Sequence, residues 1–136
     1  MAQALYIAAA SIFGLLGFLH LVYTLFSDKF HAYDPAVNEA MESSSLILSR
    51  DINMWRAWIG FNASHSVGAI MIAAIYVPLA LNHLDLLKTS VWFSVFPAVL
   101  GVCYVVLARL YWFRFPFLGI SVATVLFIWA AVLIRS

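Results

Sequence analysis

The sequence predicts an all-α fold, a four-helix transmembrane bundle formed by one domain over residues 1–136. Of the 136 residues, 65% are hydrophobic and 10% are charged, whereas soluble domains average about 45–50% and about 25%. All charged residues lie outside four long apolar segments, each close to the roughly 20 residues that a helix needs to cross a bilayer. This composition excludes an ordinary cytosolic enzyme, and a net charge of +1 offers no basic surface for nucleic acid.

The four predicted spans share the absence of Asp, Glu, Lys and Arg, and they cover about Leu5–Phe26, Ala57–Leu81, Val91–Ala108 and Phe115–Ile134. Helices are expected rather than strands, because a membrane barrel requires segments of about ten residues with alternating polarity, and none occurs. Nothing positive precedes the first span, and its apolar run is longer than that of a signal peptide. We therefore expect it to remain as a permanent helix.

The connection between the first two spans has structural signals of its own. Asp34 followed by Pro35 is typical of a helix start, with an N-cap and a proline at the first helical position. Val37 and Met41 then lie on one side of the predicted helix, and Ser43–Ser45 ends it. This pattern predicts a short helix that lies in the membrane interface.

The distribution of Lys and Arg predicts the orientation. Five of the seven basic residues, Lys29, Arg50, Arg56, Arg109 and Arg114, lie in the first and third connections, and only Lys88 and Arg135 lie on the opposite side. Because cytoplasmic loops carry the excess of positive charge, the first and third connections are predicted to be cytoplasmic and both termini to face outward.

The polar residues inside the spans recur at steps of three and four, which places them, with small and apolar residues, on one stripe per helix. The stripe of the second span continues through Asn62, His65, Ala69, Ile72 and Tyr76, that of the third ends at Tyr104, Ala108 and Tyr111, and that of the fourth ends at Ser121, Thr124, Ile128 and Ala131. At 1.5 Å per residue, His20 lies roughly 9 Å and His65 roughly 12 Å inside the cytoplasmic edge of its span. Five residues are predicted to form one polar layer in the cytoplasmic half, namely His20, Asn62, His65, Tyr104 and Ser121, with Arg56 and Arg109 at its mouth. Intramembrane polar groups usually face the bundle or a cavity.

Two interpretations of this layer remain open. The side chains can simply form hydrogen bonds between helices, or they can line a pocket for a lipophilic molecule. In the pocket interpretation, His65 or Tyr104 polarises or protonates a reacting group, and the arginines hold an anionic head group. The pocket is the leading hypothesis, and neither the ligand nor an enzymatic reaction follows from the sequence.

Three further hypotheses concern cofactors and partners. His20 and His65 are candidate axial ligands of a haem b, although directly packed helices are only about 8–10 Å apart. Two histidines without a carboxylate or thiolate form an incomplete zinc site. Gly60, Ser64 and Gly68 form a small-residue face that favours close approach of another helix, as in a homo-oligomer or an accessory subunit of a larger membrane complex.

Two stretches resemble motifs of one known family. Asn62–His65 resembles the Asn-x-x-Glu motif of the MAPEG family, the membrane-associated proteins of eicosanoid and glutathione metabolism, with His65 at the place of the glutamate. Tyr104–Phe113 is similar to the Ala-Arg-Leu-x-Tyr-Phe stretch of its third helix. The resemblance implies a glutathione-dependent membrane enzyme in which Asn62 and Arg109 contact glutathione and Trp112 supplies an aromatic contact.

The second resemblance is to small bacterial four-helix integral membrane proteins. It rests on Trp55–Trp58, which reads Trp-Arg-Ala-Trp, and on Asn62–Ser66, which reads Asn-Ala-Ser-His-Ser. It implies the fold and no particular chemistry.

Overall fold

The computed structural model describes all 136 residues, and the chain is all-α. Its helices are α1 (Ala2–Phe26), α2 (Pro35–Ser43), α3 (Met54–Asn82), α4 (Leu84–Thr89), α5 (Val91–Tyr111) and α6 (Arg114–Arg135), with a 3₁₀ turn at Asp28–Phe30. Four of them, α1, α3, α5 and α6, are long and apolar enough to cross a membrane. The predicted all-α class with four long apolar helices is confirmed. The long helices extend up to three residues past the charge-free segments, because helical hydrogen bonding does not stop at the first charged residue.

The chain divides into two compact units. The first unit combines Met1–Leu16 with Ala69–Ser136, and the second unit is Gly17–Gly68. Parts of all four long helices meet within the first unit, where they form a buried core that contains Tyr6, Phe13, Tyr76 and Phe127. The ring of Phe127 lies 6.1 Å from that of Tyr6, 6.0 Å from that of Tyr76 and 5.9 Å from that of Phe13. Tilted and edge-on aromatic pairs at these distances are favourable beyond the burial of their area.

Glycines allow the helices of the first unit to approach closely. A Cβ atom built on Gly14 of α1 lies only 2.6 Å from the Cβ atom of Ala73 in α3. A Cβ atom on Gly101 of α5 lies 2.6 Å from Oγ1 of Thr124 in α6. Small residues at helix contacts are the usual means of association in membranes, where van der Waals packing replaces the hydrophobic driving force.

Side-chain donors from distant positions satisfy backbone carbonyls at one end of the first unit. The Tyr6 hydroxyl donates to the carbonyl oxygen of Ser94 at 2.8 Å, and the Gln3 amide donates to that of Ala80 at 2.9 Å. The last carbonyls of a helix lack helical donors, so the bond from Gln3 stabilises the end of α3.

The second unit orders the first connection. The side chain of Asp34 accepts from the amide of Ala36 at 2.9 Å, and α2 ends at Ser43, so the predicted helix and both of its boundaries are confirmed. Asn53 is a cap that the sequence interpretation missed: its Oδ1 accepts from the amide of Arg56 at 2.9 Å, and its Nδ2 donates to the carbonyl of Glu42. This residue ties the end of α2 to the start of α3.

The predicted stripes agree with the buried faces in part. The stripe on α3 is confirmed at Asn62, Ala69, Ile72 and Tyr76, all of them buried. The stripe on α6 is wrong at Ile128, which is 45% exposed, because the buried position after Thr124 lies three residues on, at Phe127. Its last member, Ala131, is buried as predicted. Tyr111, the last residue of the stripe on α5, is also exposed.

Candidate functional site

Three of the predicted site residues come together in the second unit. Nε2 of His20 on α1 lies 3.2 Å from Oδ1 of Asn62 on α3, and the ring centroids of His20 and His65 are 5.5 Å apart with planes inclined by 67°. Asn62 is buried, and both histidines are half-buried. We call His20, Asn62 and His65 the polar cluster. It is the part of the predicted polar layer that the structure places in direct contact.

The direction of the hydrogen bond between His20 and Asn62 follows from a second bond. Nδ2 of Asn62 donates to the carbonyl oxygen of Trp58 at 2.9 Å, one turn earlier in α3. The amide orientation that makes this bond turns Oδ1, an acceptor, toward His20. Nε2 of His20 therefore carries the proton that is donated to Asn62, and in the neutral ring Nδ1 is left as an acceptor.

Aromatic side chains enclose one side of the polar cluster. The ring of Phe30, in the 3₁₀ turn, meets the His20 ring edge-on with centroids 4.7 Å apart. Nε1 of Trp58 donates to the carbonyl oxygen of Phe30 at 3.1 Å, and the two rings lie 6.3 Å apart. The sequence interpretation missed Phe30, because a residue in a connection belongs to no helical periodicity. Only the aromatic residues in the connection and near the start of α3 could have indicated that the connection packs against the polar cluster.

A cleft of about 460 Å³ opens in the second unit. Its walls come from the end of α1, the following turn and the start of α3, namely Thr24, Leu25, Phe26, Ser27, Asp28, His31, Trp55 and Ile59. Thr24 follows His20 by four residues, and Ile59 precedes Asn62 by three. Residues three or four apart share a helix face, so the cleft begins one turn from the polar cluster on the same faces of α1 and α3.

Two ring and charge contacts shape the mouth of the cleft. Nδ1 of His31 lies 3.6 Å from a carboxylate oxygen of Asp28, and the His31 ring lies 4.6 Å from that of Trp55, inclined by 32°. His31 was predicted to be solvated. Its side chain is 39% exposed, and it also packs on Trp55 as part of the wall.

The other predicted site residues have different surroundings. Tyr104 belongs to the first unit, where its ring meets those of Phe13 at 5.5 Å and Trp112 at 6.2 Å. The Ser121 hydroxyl donates to the carbonyl of Phe117 in its own helix at 2.7 Å. Arg56 and Arg109 are exposed. That these four residues extend the polar cluster into one layer with a basic mouth stays a prediction.

The polar cluster does not fit a haem held by two axial histidines. Such a haem lies between its two imidazoles, each of which directs a nitrogen at the iron. The rings of His20 and His65 instead contact each other directly, and Nε2 of His20 is hydrogen-bonded to Asn62. No group of three or more His, Cys, Asp or Glu residues is placed to hold a metal ion.

Comparison with protein-family models, with curated proteins and with solved structures found no match. The resemblance of Asn62–His65 and of the stretch around Arg109 to the MAPEG family therefore stays an expectation. In this structure the amide of Asn62 is shared between His20 and the carbonyl of Trp58.

Proposed function

We propose that this chain is a multi-pass membrane protein that binds a small amphipathic molecule in the second unit. The polar part of the molecule lies in the cleft beside Thr24 and Ile59 and contacts the polar cluster one turn further along α1 and α3. The convergence of His20, Asn62 and His65 within two apolar helices carries this proposal. Polar and ionisable groups are costly at such positions and commonly mark functional sites.

The chemistry of the polar cluster favours a ligand with neutral hydrogen-bonding groups at its inner end. No Lys, Arg, Asp or Glu lies in α1 between Ala2 and Phe26, nor in α3 after Arg56. An imidazole and an amide can each donate and accept without a net charge, so they match a hydroxyl, a carbonyl or an amine. The rings of Phe30 and Trp58 add apolar surface beside them.

The size of the cleft is compatible with this role. Small-molecule sites are concave spaces of about 300–1,000 Å³ with a few placed polar groups among apolar walls. The cleft, at about 460 Å³, combines the apolar Leu25, Phe26 and Ile59 with polar side chains at its mouth. The walls of the cleft stop short of the polar cluster, so the proposed ligand extends about one helical turn, roughly 5 Å, past Thr24 and Ile59 to contact it.

The test is purification in a mild detergent from the native membrane, followed by mass spectrometry of the co-purifying small molecules. We expect one dominant molecule in near-stoichiometric amount, lost in His65→Ala and in His20→Ala. His83→Ala is the matched control, because His83 is an exposed histidine in the connection after α3. Equal retention of the molecule by all variants, or its absence from the wild-type protein, would overturn the proposal. Size-exclusion chromatography confirms that each variant remains folded.

A second candidate function, an accessory subunit of a larger membrane complex, is favoured by one face of α3. Gly60 and Ser64 are exposed on it, and a Cβ atom built on Gly60 has no neighbour within 4 Å. A small-residue face of this kind allows the backbone of another helix to approach. The same purification separates the two functions, because an accessory subunit retains stoichiometric partner proteins and no small molecule.

We also propose that the connection between α1 and α3 and the connection between α5 and α6 are cytoplasmic. The support is the five-to-two distribution of Lys and Arg. In a Cys103→Ser background, a membrane-impermeant maleimide should label His83→Cys in intact cells and Ser49→Cys only after permeabilisation. The reverse labelling pattern would invert the orientation.

A further inference from the structure

We infer that the cleft of the second unit takes the ammonium group of an amphiphile, with the alkyl chain along its apolar wall. The inference rests on the proposed function and names the chemical class of its ligand. Four properties of the cleft support it: its fixed charge, the direction of its hydrogen-bonding groups, its aromatic surface and its apolar wall.

The fixed charge of the cleft is negative. Asp28 is the one Asp, Glu, Lys or Arg residue among the walls. Its carboxylate has no Lys or Arg within 4.0 Å, and the imidazole of His31 lies 3.6 Å from it. The neighbouring cation, Lys29, has its Nζ over the ring of Tyr23, 4.7 Å from the centroid, and is not a wall residue. An anionic head group would thus meet a carboxylate and no fixed cation.

The hydroxyl groups of the cleft present acceptors. Thr24 donates its hydroxyl proton to the carbonyl of His20 at 2.8 Å, and Ser27 donates its own to the carbonyl of Tyr23 at 2.7 Å. Oγ of Ser27 also accepts from the amide of Lys29 at 3.4 Å. Each oxygen therefore offers a ligand only the lone pairs that these bonds leave available. Together with the Asp28 carboxylate they form a surface of negatively polarised oxygen atoms, which suits a positively charged group.

The aromatic wall adds a second attraction for a cation. Trp55 presents an indole ring, the aromatic surface that binds cations best, and ammonium groups with alkyl substituents are commonly recognised in this way. His31 packs over one face of the same ring at 4.6 Å, so the ligand cation is proposed to contact the face that His31 leaves uncovered. Leu25, Phe26 and Ile59 complete the walls and provide the surface for an alkyl chain.

The experiment is calorimetric titration of the full chain in dodecyl maltoside micelles with decyltrimethylammonium, decyl sulfate and decanol. The three probes share a chain length and differ in charge. We expect decyltrimethylammonium to bind most tightly, and we expect Asp28→Asn to weaken its binding about fivefold, the scale of one exposed ionic or cation–π contact. Asp85→Asn is the matched control, because Asp85 is also an exposed aspartate in the first turn of a short helix.

A second pair of variants tests the aromatic wall. Trp55→Leu should weaken the binding of decyltrimethylammonium and leave that of decanol unchanged. Trp92→Leu, at an exposed tryptophan of α5, should change the binding of neither probe.

Adding a short-chain phosphatidylcholine distinguishes the head group of a membrane lipid from a free alkylammonium. Both carry the same ammonium chemistry, and the tighter of the two identifies the source.

The outcomes separate this inference from the function on which it rests. If decanol and decyltrimethylammonium bind equally, and only His65→Ala weakens them, the proposed function stands and the ammonium inference is wrong. If Asp28→Asn weakens the ammonium probe and His65→Ala weakens neither that probe nor decanol, whose hydroxyl is the group that the polar cluster can bind, the ammonium site stands and contact with the polar cluster is wrong. If no probe binds the wild-type chain, both are overturned.

Discussion

The hydroxyl of Tyr76 donates to the carbonyl oxygen of Phe93 at a distance of 3.2 Å. This acceptor is the one that Pro97 leaves without a helical partner, because a proline has no amide hydrogen to donate to the residue four positions earlier. Pro97 is itself buried inside α5. An interior proline is tolerated in a transmembrane helix when a neighbouring helix satisfies the released carbonyl, and here α3 supplies the donor.

Removing the Tyr76 hydroxyl should therefore destabilise the protein, and the proline should determine by how much. We expect Tyr76→Phe to lower the free energy of unfolding by about 1 kcal/mol, somewhat above the average for a hydrogen bond between membrane helices. In a Pro97→Ala background, the amide of the new alanine can donate to the carbonyl of Phe93. Tyr76→Phe should then lower the free energy of unfolding by less than it does in the wild-type protein. Reversible unfolding in mixed micelles measures all four proteins of this cycle.

Tyr23→Phe is the control for the loss of a hydroxyl, because Tyr23 is 40% exposed and lies outside the aromatic core. It should leave the unfolding free energy unchanged. An equal cost of Tyr76→Phe with and without Pro97 would mean that the hydroxyl does not replace the missing amide.

The hydrogen bond of the polar cluster predicts the tautomer of His20. Because Oδ1 of Asn62 is the acceptor, the proton lies on Nε2. Solid-state ¹⁵N NMR of the labelled protein in lipid should show a protonated Nε2 and a bare Nδ1 for the neutral ring. In Asn62→Leu we expect a mixture of tautomers and a loss of about 0.6 kcal/mol of stability. Ser121→Ala, which removes a hydroxyl bonded within its own helix, should change neither. A bare Nε2 in the wild-type protein would reverse the donor assignment.

The four long helices were predictable from the sequence, because a bilayer imposes one strong requirement on length and polarity. The apolar run that begins near Leu5 and the run that ends near Ile134 each meet it, and each helix was found. The start of α2 was equally predictable, since Asp34 and Pro35 encode it locally. The α4 helix was not predicted. It has only six residues, and its N-cap is His83, whose side chain forms no cap bond, so the sequence contains no typical signal of a helix start there.

The polar cluster was predictable and its surroundings were not. His20, Asn62 and His65 follow from the regular steps of an α-helix, which fix the face on which a residue lies. Phe30 and the bond from Trp58 depend on how an irregular connection folds back on the helices, and no periodic pattern encodes that. The error at Ile128 has a related cause: steps of three and of four are both allowed, and only packing decides between them.

The glycines predict substitutions of opposite sign. Gly14→Ala should destabilise the protein, because its Cβ atom would lie 2.6 Å from that of Ala73, a distance that forces α1 and α3 apart. Gly60→Ala should stabilise it by up to about 1 kcal/mol, since open space surrounds that position and alanine is the better helix former. Unfolding in mixed micelles measures both. Destabilisation by Gly60→Ala would show instead that another helix packs on this face in the membrane.

The bond from Trp58 to the carbonyl of Phe30 predicts the stability of the turn that covers the polar cluster. Trp58→Phe keeps an aromatic ring beside Phe30 and removes the Nε1–H donor, whose bond measures 3.1 Å. We expect this change to lower the local stability of the turn by about 1 kcal/mol, which corresponds to an increase of about fivefold in the rate of amide exchange. The reporter is the amide of His31, which donates to the carbonyl oxygen of Asp28 within the turn. Hydrogen–deuterium exchange with mass spectrometry of the 27–33 segment measures this. Trp92→Phe, at an exposed tryptophan of α5, should leave the segment unchanged, and equal exchange in the two variants would mean that this bond does not hold the turn.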